Sequence, residues 1–409
     1  MSVAVLKNKS PKVTTLVVII LAITISVDSF RFFKISSATL ISLITVGLGT
    51  FTVLKALTLA GVKWKTGYRN WWLLGYVLLN LGLVVYHPID KSALQTILVF
   101  LTFVSIVYVC TKSLTVEFVE NITKQLQRII VFISLVYIGL CLIYGPGNNI
   151  LFGPRSLGIL VAVLTPVIFS RAISNTSFYT ILLLSFTAVL LSQSRTSIAI
   201  MLFYFLISLG RFKKRARVIG LIVLIPIFSF FVFIFFTEFA FVQSRNLGGD
   251  AGIRIGDYVI STQGRTSFWK LILNQQEGYT FFGEGPGSVR EVLSGKFSNL
   301  NEPHNDFIRI YYESGLIGIS LFICGLVSYL RYLTKNIFTL PSQLRIQNIF
   351  FSASLSLLAF IAQALTDNPI VYIYVMAPLG LILGSALSQA NTKCRQEEPK
   401  HLKRESRKM

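Results

Sequence analysis

Charge is what this sequence lacks most. Only 13% of its residues are charged, about half the roughly 25% usual in soluble domains. Acids are scarcer still, with 17 Asp and Glu against 38 Lys and Arg, a net charge of +21. Histidine occurs three times and cysteine four. The cysteines Cys110, Cys141 and Cys324 sit in apolar runs and Cys394 in a basic tail. No pair has metal-ligand spacing, which argues against a disulfide framework and a zinc site. No basic face carries interleaved aromatics, so the positive charge does not read as a nucleic-acid surface.

What is present is apolar sequence, almost end to end. Hydrophobic residues make up 53% of the chain, and mean hydropathy is +0.68. A run of about 20 such residues spans a bilayer core as a helix. A soluble core cannot absorb this many, so lipid must be the solvent. The expected fold is an all-α polytopic membrane protein of about twelve transmembrane helices. The runs fall near 13–28, 36–60, 71–86, 93–111, 128–144, 156–172, 178–193, 196–210, 218–237, 314–331, 347–366 and 369–389. Residues 1–237 then hold helices one to nine, 314–389 the last three, and 390–409 a basic tail. The basic start, Met1 to Lys12, lacks a small-residue cleavage site and reads as leading into the first span.

Basic residues concentrate in the N-terminus, 61–70, 112–128, 171–177, 211–217, 331–346 and the tail. The block Arg211, Lys213, Lys214, Arg215, Arg217 is the clearest anchor. The positive-inside rule makes that side cytoplasmic. Both termini then lie in the cytoplasm, as an even number of spans requires, and the expected location is an inner membrane. Residues 238–313 form the exception, a long polar stretch on the opposite side, which is the periplasm, or the exterior in a cell with one membrane. Loops beyond about 15 residues usually have a task. Within this one, Arg265 to Gln275 reads as an amphipathic helix, 283–287 as a turn, and Pro303 to Ser314 as a helix closed by Gly315.

Few residues here suit chemistry. His87 lies at a span end and His401 in the tail, whereas His304 stands beside the helix start Glu302-Pro303. The positive end of a helix favours the neutral imidazole, which can act as a general base; the alternative is a surface histidine without a task. Arg155 and Arg195 lie at periplasmic ends of spans, and Arg245, Arg254, Arg265, Arg290 and Arg309 lie in the loop. Basic residues are disfavoured on that side, and guanidinium grips phosphate bidentately, so a lipid-linked diphosphate is the natural ligand. The alternative is a solvated loop whose arginines pair with acids. That alternative is weakest for Arg195, wedged between two apolar runs in Ser192-Gln193-Ser194-Arg195-Thr196-Ser197. The glycines of 283–287, Gly285 and Gly287 among them, either offer N–H groups to a phosphate or only make a turn. Glu302, Asp306 and Glu313 are expected to fix the imidazole tautomer or to pair with arginines, with no metal site among them.

Several of these stretches resemble one family. His304-Asn305, followed by Gly315 and Gly318, is similar to the His motif of the bacterial O-antigen ligase and O-antigen polymerase family. Gly264-Arg265-Thr266-Ser267-Phe268-Trp269 resembles its GR…W segment, Phe282-Gly283-Glu284-Gly285-Pro286-Gly287 its FGxGPG turn, and Ser194-Arg195 its SR segment. They occur in family order over about 190–330. The first 140 residues match no motif. The resemblance implies a GT-C-like membrane glycosyltransferase with no metal and no other cofactor. Its donor would be an undecaprenyl-diphosphate-linked glycan. Its acceptor would be the lipid A core for a ligase, or another lipid-linked glycan for a polymerase. His304 would be the base, and Arg195 and Arg265 would hold the diphosphate. Arg155, Arg254, Asn305, Gly285 and Gly287 complete the expected binding set. Arg155 stands where the family often has FGNPN and this chain has Phe152-Gly153-Pro154-Arg155-Ser156.

Two other functions fit parts of this pattern. A polymerase of O-antigen or exopolysaccharide needs the same base and the same clamp as a ligase, and the motifs do not separate them. A transporter of lipid-linked glycans suits twelve spans, but its polar groups should gather near the bilayer midplane, not at span ends.

Overall fold

The computed structural model describes residues 69–85, 91–113, 116–150, 153–170, 173–211, 253–255, 258–260, 265–275, 280–296, 302–339 and 348–405, with isolated positions at 47, 49, 51, 52 and 54. The first and ninth expected spans lie outside the described residues, and the second does so almost entirely.

Nine apolar helices coincide with the remaining expected spans. They are α1 (Arg69–Leu83), α2 (Lys91–Ser113), α3 (Val116–Tyr144), α4 (Pro154–Leu164), α5 (Asn175–Leu191), α6 (Arg195–Ser208), α9 (Asp306–Phe338), α10 (Ile349–Ala364) and α11 (Ile373–Glu405). Two short helices, α7 (Arg265–Asn274) and α8 (Ser288–Lys296), stand between α6 and α9. By length and composition α2, α3 and α9 can cross a membrane. Apolar side chains dominate the first eight and the Ile373–Gln389 part of α11, and helices satisfy their own backbone polar groups where no water can. The protein is a membrane protein built mainly of helix. An antiparallel hairpin, β1 (Ile253–Ile255) with β2 (Tyr258–Ile260), is an unexpected addition.

Close packing depends on small residues, as it must where lipid and side chains are equally apolar. Gly380 and Gly384, one turn apart on α11, bring that helix against Phe103, Ile106, Val107 and Cys110 of α2. Gly325 of α9 admits Leu73 of α1, and Gly75 of α1 lies against Leu321 of α9. The run expected at 156–172 is not one regular helix. Pro166 has no N–H to continue the ladder, and the chain tightens after Leu164 into a 3-10 turn, Thr165–Ser170. That turn carries Phe169, whose ring packs on Phe178 and Phe351. Tyr204 donates to the Ala162 carbonyl at 2.9 Å, fastening α6 to α4.

Two features lead to the site. The first is a break in α9. Gly315 has φ 63° and ψ −165°, a conformation open essentially to glycine alone. The helix expected from Pro303 thus ends at Gly315 as read from the sequence, and the next span follows at once, the two making up α9. The turn 280–285 spans that kink. Its Glu284 and Gly285 N–H groups donate to the Tyr312 and Glu313 carbonyls at 2.9 and 3.0 Å. The Leu316 and Ile317 N–H groups donate to the Thr280 and Phe281 carbonyls at 2.8 and 3.1 Å. The second is a small separate core of Ile272, Val289, Leu293 and Tyr312, which seats α7 and α8 on the first turns of α9. At the other end of the chain, the tail read as a separate basic segment continues α11 as helix to Glu405.

Candidate active site

His304 sits one residue before the cap of α9. Asn305 caps that helix, its Oδ1 accepting from the Phe307 and Ile308 N–H groups at 3.0 and 3.1 Å. Trp269 of α7 donates from Nε1 to the Pro303 carbonyl at 2.9 Å. Between these two ties His304 takes φ 53°, a left-handed conformation rare outside glycine. Strain of this kind costs on the order of 1–3 kcal/mol and persists where surroundings impose it.

The ring meets the turn between α10 and α11. His304 Nδ1 lies 3.3 Å from Asp367 Oδ1 and 3.3 Å from Asn368 Nδ2. A carboxylate can only accept, so Nδ1 carries the hydrogen and Nε2 keeps its lone pair for a proton. Asn368 Oδ1 is buried without a hydrogen-bond partner. An end-for-end turn of that amide would give Nδ1–H a second acceptor and satisfy the oxygen as well. Burial raises the Asp367 carboxyl, but the His304 hydrogen bond and charge, the Asn368 N–H and the Arg265 guanidinium together hold it below its ordinary value. Asp306 ties the two sides of the site, its Oδ2 accepting from the Ile370 N–H at 3.0 Å.

Arginines approach the same turn. Arg265, the first residue of α7, donates from Nη1 to the Thr366 carbonyl at 2.7 Å. Arg195 is the first residue of α6, and the hydroxyl of Thr196 beside it meets that of Thr366 at 2.8 Å. Arg155 is the second residue of α4. Gly158 brings α4 against Ser192 and Ser194, just before α6. A buried chain of Ser194, Ser197 and Gln363 fixes α6 against α10, with contacts of 2.7 and 2.8 Å.

The charges of these arginines act on one another. Arg195 feels the like charges of Arg265 and Arg155. Burial draws Arg265 below the usual guanidinium range, Asp367 pushes it back, and Arg155 adds to the lowering. Each of the three also sits at the positive end of a helix, where cations are disfavoured by a few tenths of a kcal/mol to about 1 kcal/mol. Three like charges held against three helix dipoles leave positive charge and helix-start N–H groups on the same side, an arrangement that favours anions in general. The imidazole and the Arg265 guanidinium thus meet at Thr366–Asp367–Asn368, and Arg195 and Arg155 are near enough for the three like charges to act on one another.

The other expected residues have different surroundings. Asn305 spends its carbonyl oxygen on capping α9. Gly285 uses its N–H across the α9 kink, and Gly287 packs on Ala93 of α2. Arg254 lies in β1 opposite Val259. Arg309 is not turned to a ligand. It is buried, with Nη1 2.6 Å from Glu302 and Nε 3.3 Å from Glu313. So Glu302 and Glu313 pair with an arginine, as expected of the loop acids, while the tautomer of His304 is fixed by Asp367. Arg245 lies outside the described residues. Among the described residues no three His, Cys, Asp or Glu come together in a way that could hold a metal ion.

Asp367, Asn368, Thr366 and the Trp269 tie were not anticipated from sequence. One signal pointed to Asp367: an acid between two apolar runs is as unusual as Arg195 between two others.

The family model of O-antigen ligase matches residues 180–323. The matched stretch contains Arg195, Arg265, Trp269 and His304, while Arg155 and Asp367 lie outside it. No curated protein matches the chain. The match bears out the resemblance carried by the motifs. Together with the apolar helices it supports a membrane protein of the O-antigen ligase or polymerase type, acting with lipid-linked glycans and membrane lipids.

Proposed function

We propose that this chain moves a glycan from undecaprenyl diphosphate to an acceptor hydroxyl, as a ligase, at the periplasmic face of a bacterial inner membrane. The observation that carries the reading is the His304–Asp367 contact beside the Thr366 carbonyl to which Arg265 donates; the charges of Arg195 and Arg155, which act on one another and on that of Arg265, support it. In the reaction, Nε2 of His304 takes the acceptor's hydroxyl proton. The freed oxygen bonds to the anomeric carbon, and the bond from that carbon to the diphosphate oxygen breaks. The electron pair leaves with the diphosphate, whose charge grows against the arginines. Asp367 holds the ring in the right tautomer and stabilises the imidazolium as it forms. Fixed positive charge aimed at a growing negative charge is commonly the largest catalytic contribution. Guanidinium charge of this kind replaces a divalent cation, so a chelator should leave turnover unchanged.

The same base and clamp serve a polymerase, whose acceptor is a second lipid-linked unit; the acceptor alone separates the two. A transporter is disfavoured because His304 and the arginines stand at helix starts, not along helix middles. The placement of both termini in the cytoplasm follows from the charge pattern and is part of this proposal.

Purified protein in liposomes, given lipid-linked glycan and acceptor, should release undecaprenyl diphosphate. His304→Ala should abolish release while the protein still inserts and purifies normally. Full activity in that variant would remove the imidazole from the mechanism. In cells lacking the protein, uncapped lipid A core beside intact carrier-linked polymer identifies a ligase; core capped with single units identifies a polymerase.

A further inference from the structure

The turn 280–285 leaves two aromatic rings uncovered. Phe281 is 65% exposed and Phe282 54% exposed. Adjacent uncovered phenylalanines on a well-anchored turn are costly in water, since burying one such ring is worth about 1.5–3 kcal/mol. The backbone of that turn has no freedom to hide them. Its Thr280 and Phe281 carbonyls are held by Leu316 and Ile317, and its Glu284 and Gly285 N–H groups by the helix before the kink.

What the rings adjoin indicates what covers them. Leu316 and Ile317, bonded directly to the turn, are themselves 42% and 36% exposed. The exposed stripe continues along α9 through Ile323 at 42% and Val327 at 55%. In a membrane protein this face of α9 has acyl chains as its neighbour. Phe281 and Phe282 prolong the stripe beyond the end of the span, to the level where the apolar side chains of interfacial segments, Phe among them, enter the boundary of acyl chains and headgroups.

We infer that Phe281 and Phe282 insert into the outer interface of the bilayer and set the depth of the site. The turn braces α9 at Gly315, and His304 lies three turns of helix before that glycine. Rings fixed at one level of the lipid therefore hold the imidazole at a constant height above the hydrocarbon. This inference does not depend on the chemistry proposed above. A chain that bound lipid without transferring any glycan would satisfy it equally.

The test is fluorescence of full-length Phe281→Trp and Phe282→Trp proteins in phosphatidylcholine–phosphatidylglycerol liposomes. Each is read as the difference from the parent, which has four tryptophans. Lys270→Trp, on the exposed face of α7, gives the aqueous reference. Phospholipids brominated near the headgroup end of their acyl chains should quench the indole at 281 or 282 and leave that at 270 bright. Aqueous iodide should do the reverse. Iodide quenching at both phenylalanine positions without bromolipid quenching overturns the inference. So does shielding from both quenchers, which would mean that protein covers the rings. Protection that appears only when lipid-linked glycan is added also overturns it, because the rings would then be a sugar platform.

Discussion

Asp367→Asn is the substitution that most directly probes the site. It keeps the shape of the side chain and removes its charge. In the parent, Asp367 Oδ1 lies 3.3 Å from His304 Nδ1, with side-chain exposures of 10% and 22% for Asp and His. When Nε2 takes the acceptor proton, the ring becomes a cation beside that carboxylate. Two unit charges about 4 Å apart at an effective dielectric constant near 20 attract by ~4 kcal/mol. Solvent reaching the partly exposed ring lowers this to about 2–3 kcal/mol. At 1.36 kcal/mol per tenfold, kcat should fall by about 10². The donor KM should change little, since the carboxylate acts on the ring as charge develops and not on the diphosphate. The assay is release of undecaprenyl diphosphate from carrier-linked glycan in liposomes. A variant within about threefold of the parent would refute the reasoning, since it detaches the Asp367 charge from the proton transfer at His304.

Four further outcomes follow from the same geometry. Arg265→Ala and Arg195→Ala should each weaken donor use by about 2–5 kcal/mol in kcat/KM, the range for losing one partner of a desolvated charge pair; Arg265→Lys should recover only part, lacking the bidentate fork. Gly315→Ala should lower stability by at least about 2 kcal/mol in thermal unfolding, because φ 63° is strained for alanine and a Cβ would run into the Phe281 carbonyl. Arg309→Met should destabilise by about 3–5 kcal/mol, leaving Glu302 and Glu313 without their cation. The pH dependence has a definite sign. The Asp367 carboxyl is lowered by folding, so its contribution is complete above the unfolded value of about 4 and disappears as pH falls below it. The gap in thermal stability between the parent and Asp367→Asn should be open at neutral pH and close in acid, as the carboxylate is protonated.

The sequence singled out His304 because it is one of only three histidines, and Arg195, Arg265 and Arg155 because each stands where the charge pattern disfavours a basic residue. Apolar runs likewise announced the helices, since in lipid a backbone has few alternatives. Asp367 was hidden by distance. It belongs to a tight link between α10 and α11, 63 residues from the histidine it serves, and nothing local marks that partnership. The turn 283–287 deceived in another way. Its composition offers N–H groups to any anion, and only the fold reveals that Glu284 and Gly285 commit theirs to α9. Asn305 is similar, its oxygen taken up in capping. The break at Gly315 was visible as a helix stop, but not that a segment some thirty residues upstream would bridge it.

The three guanidiniums at helix starts have a consequence for the catalytic cycle. An empty site keeps like charges together at a cost in stability, and any diphosphate that settles there relieves the strain. The spent carrier is relieving in the same way as the loaded one, and after bond cleavage it carries more negative charge. Departure of the bare carrier, not formation of the new glycosidic bond, should then be the slow event. Such an enzyme would be inhibited by its own leaving group, and would run fastest where another activity strips phosphate from that lipid as soon as it escapes.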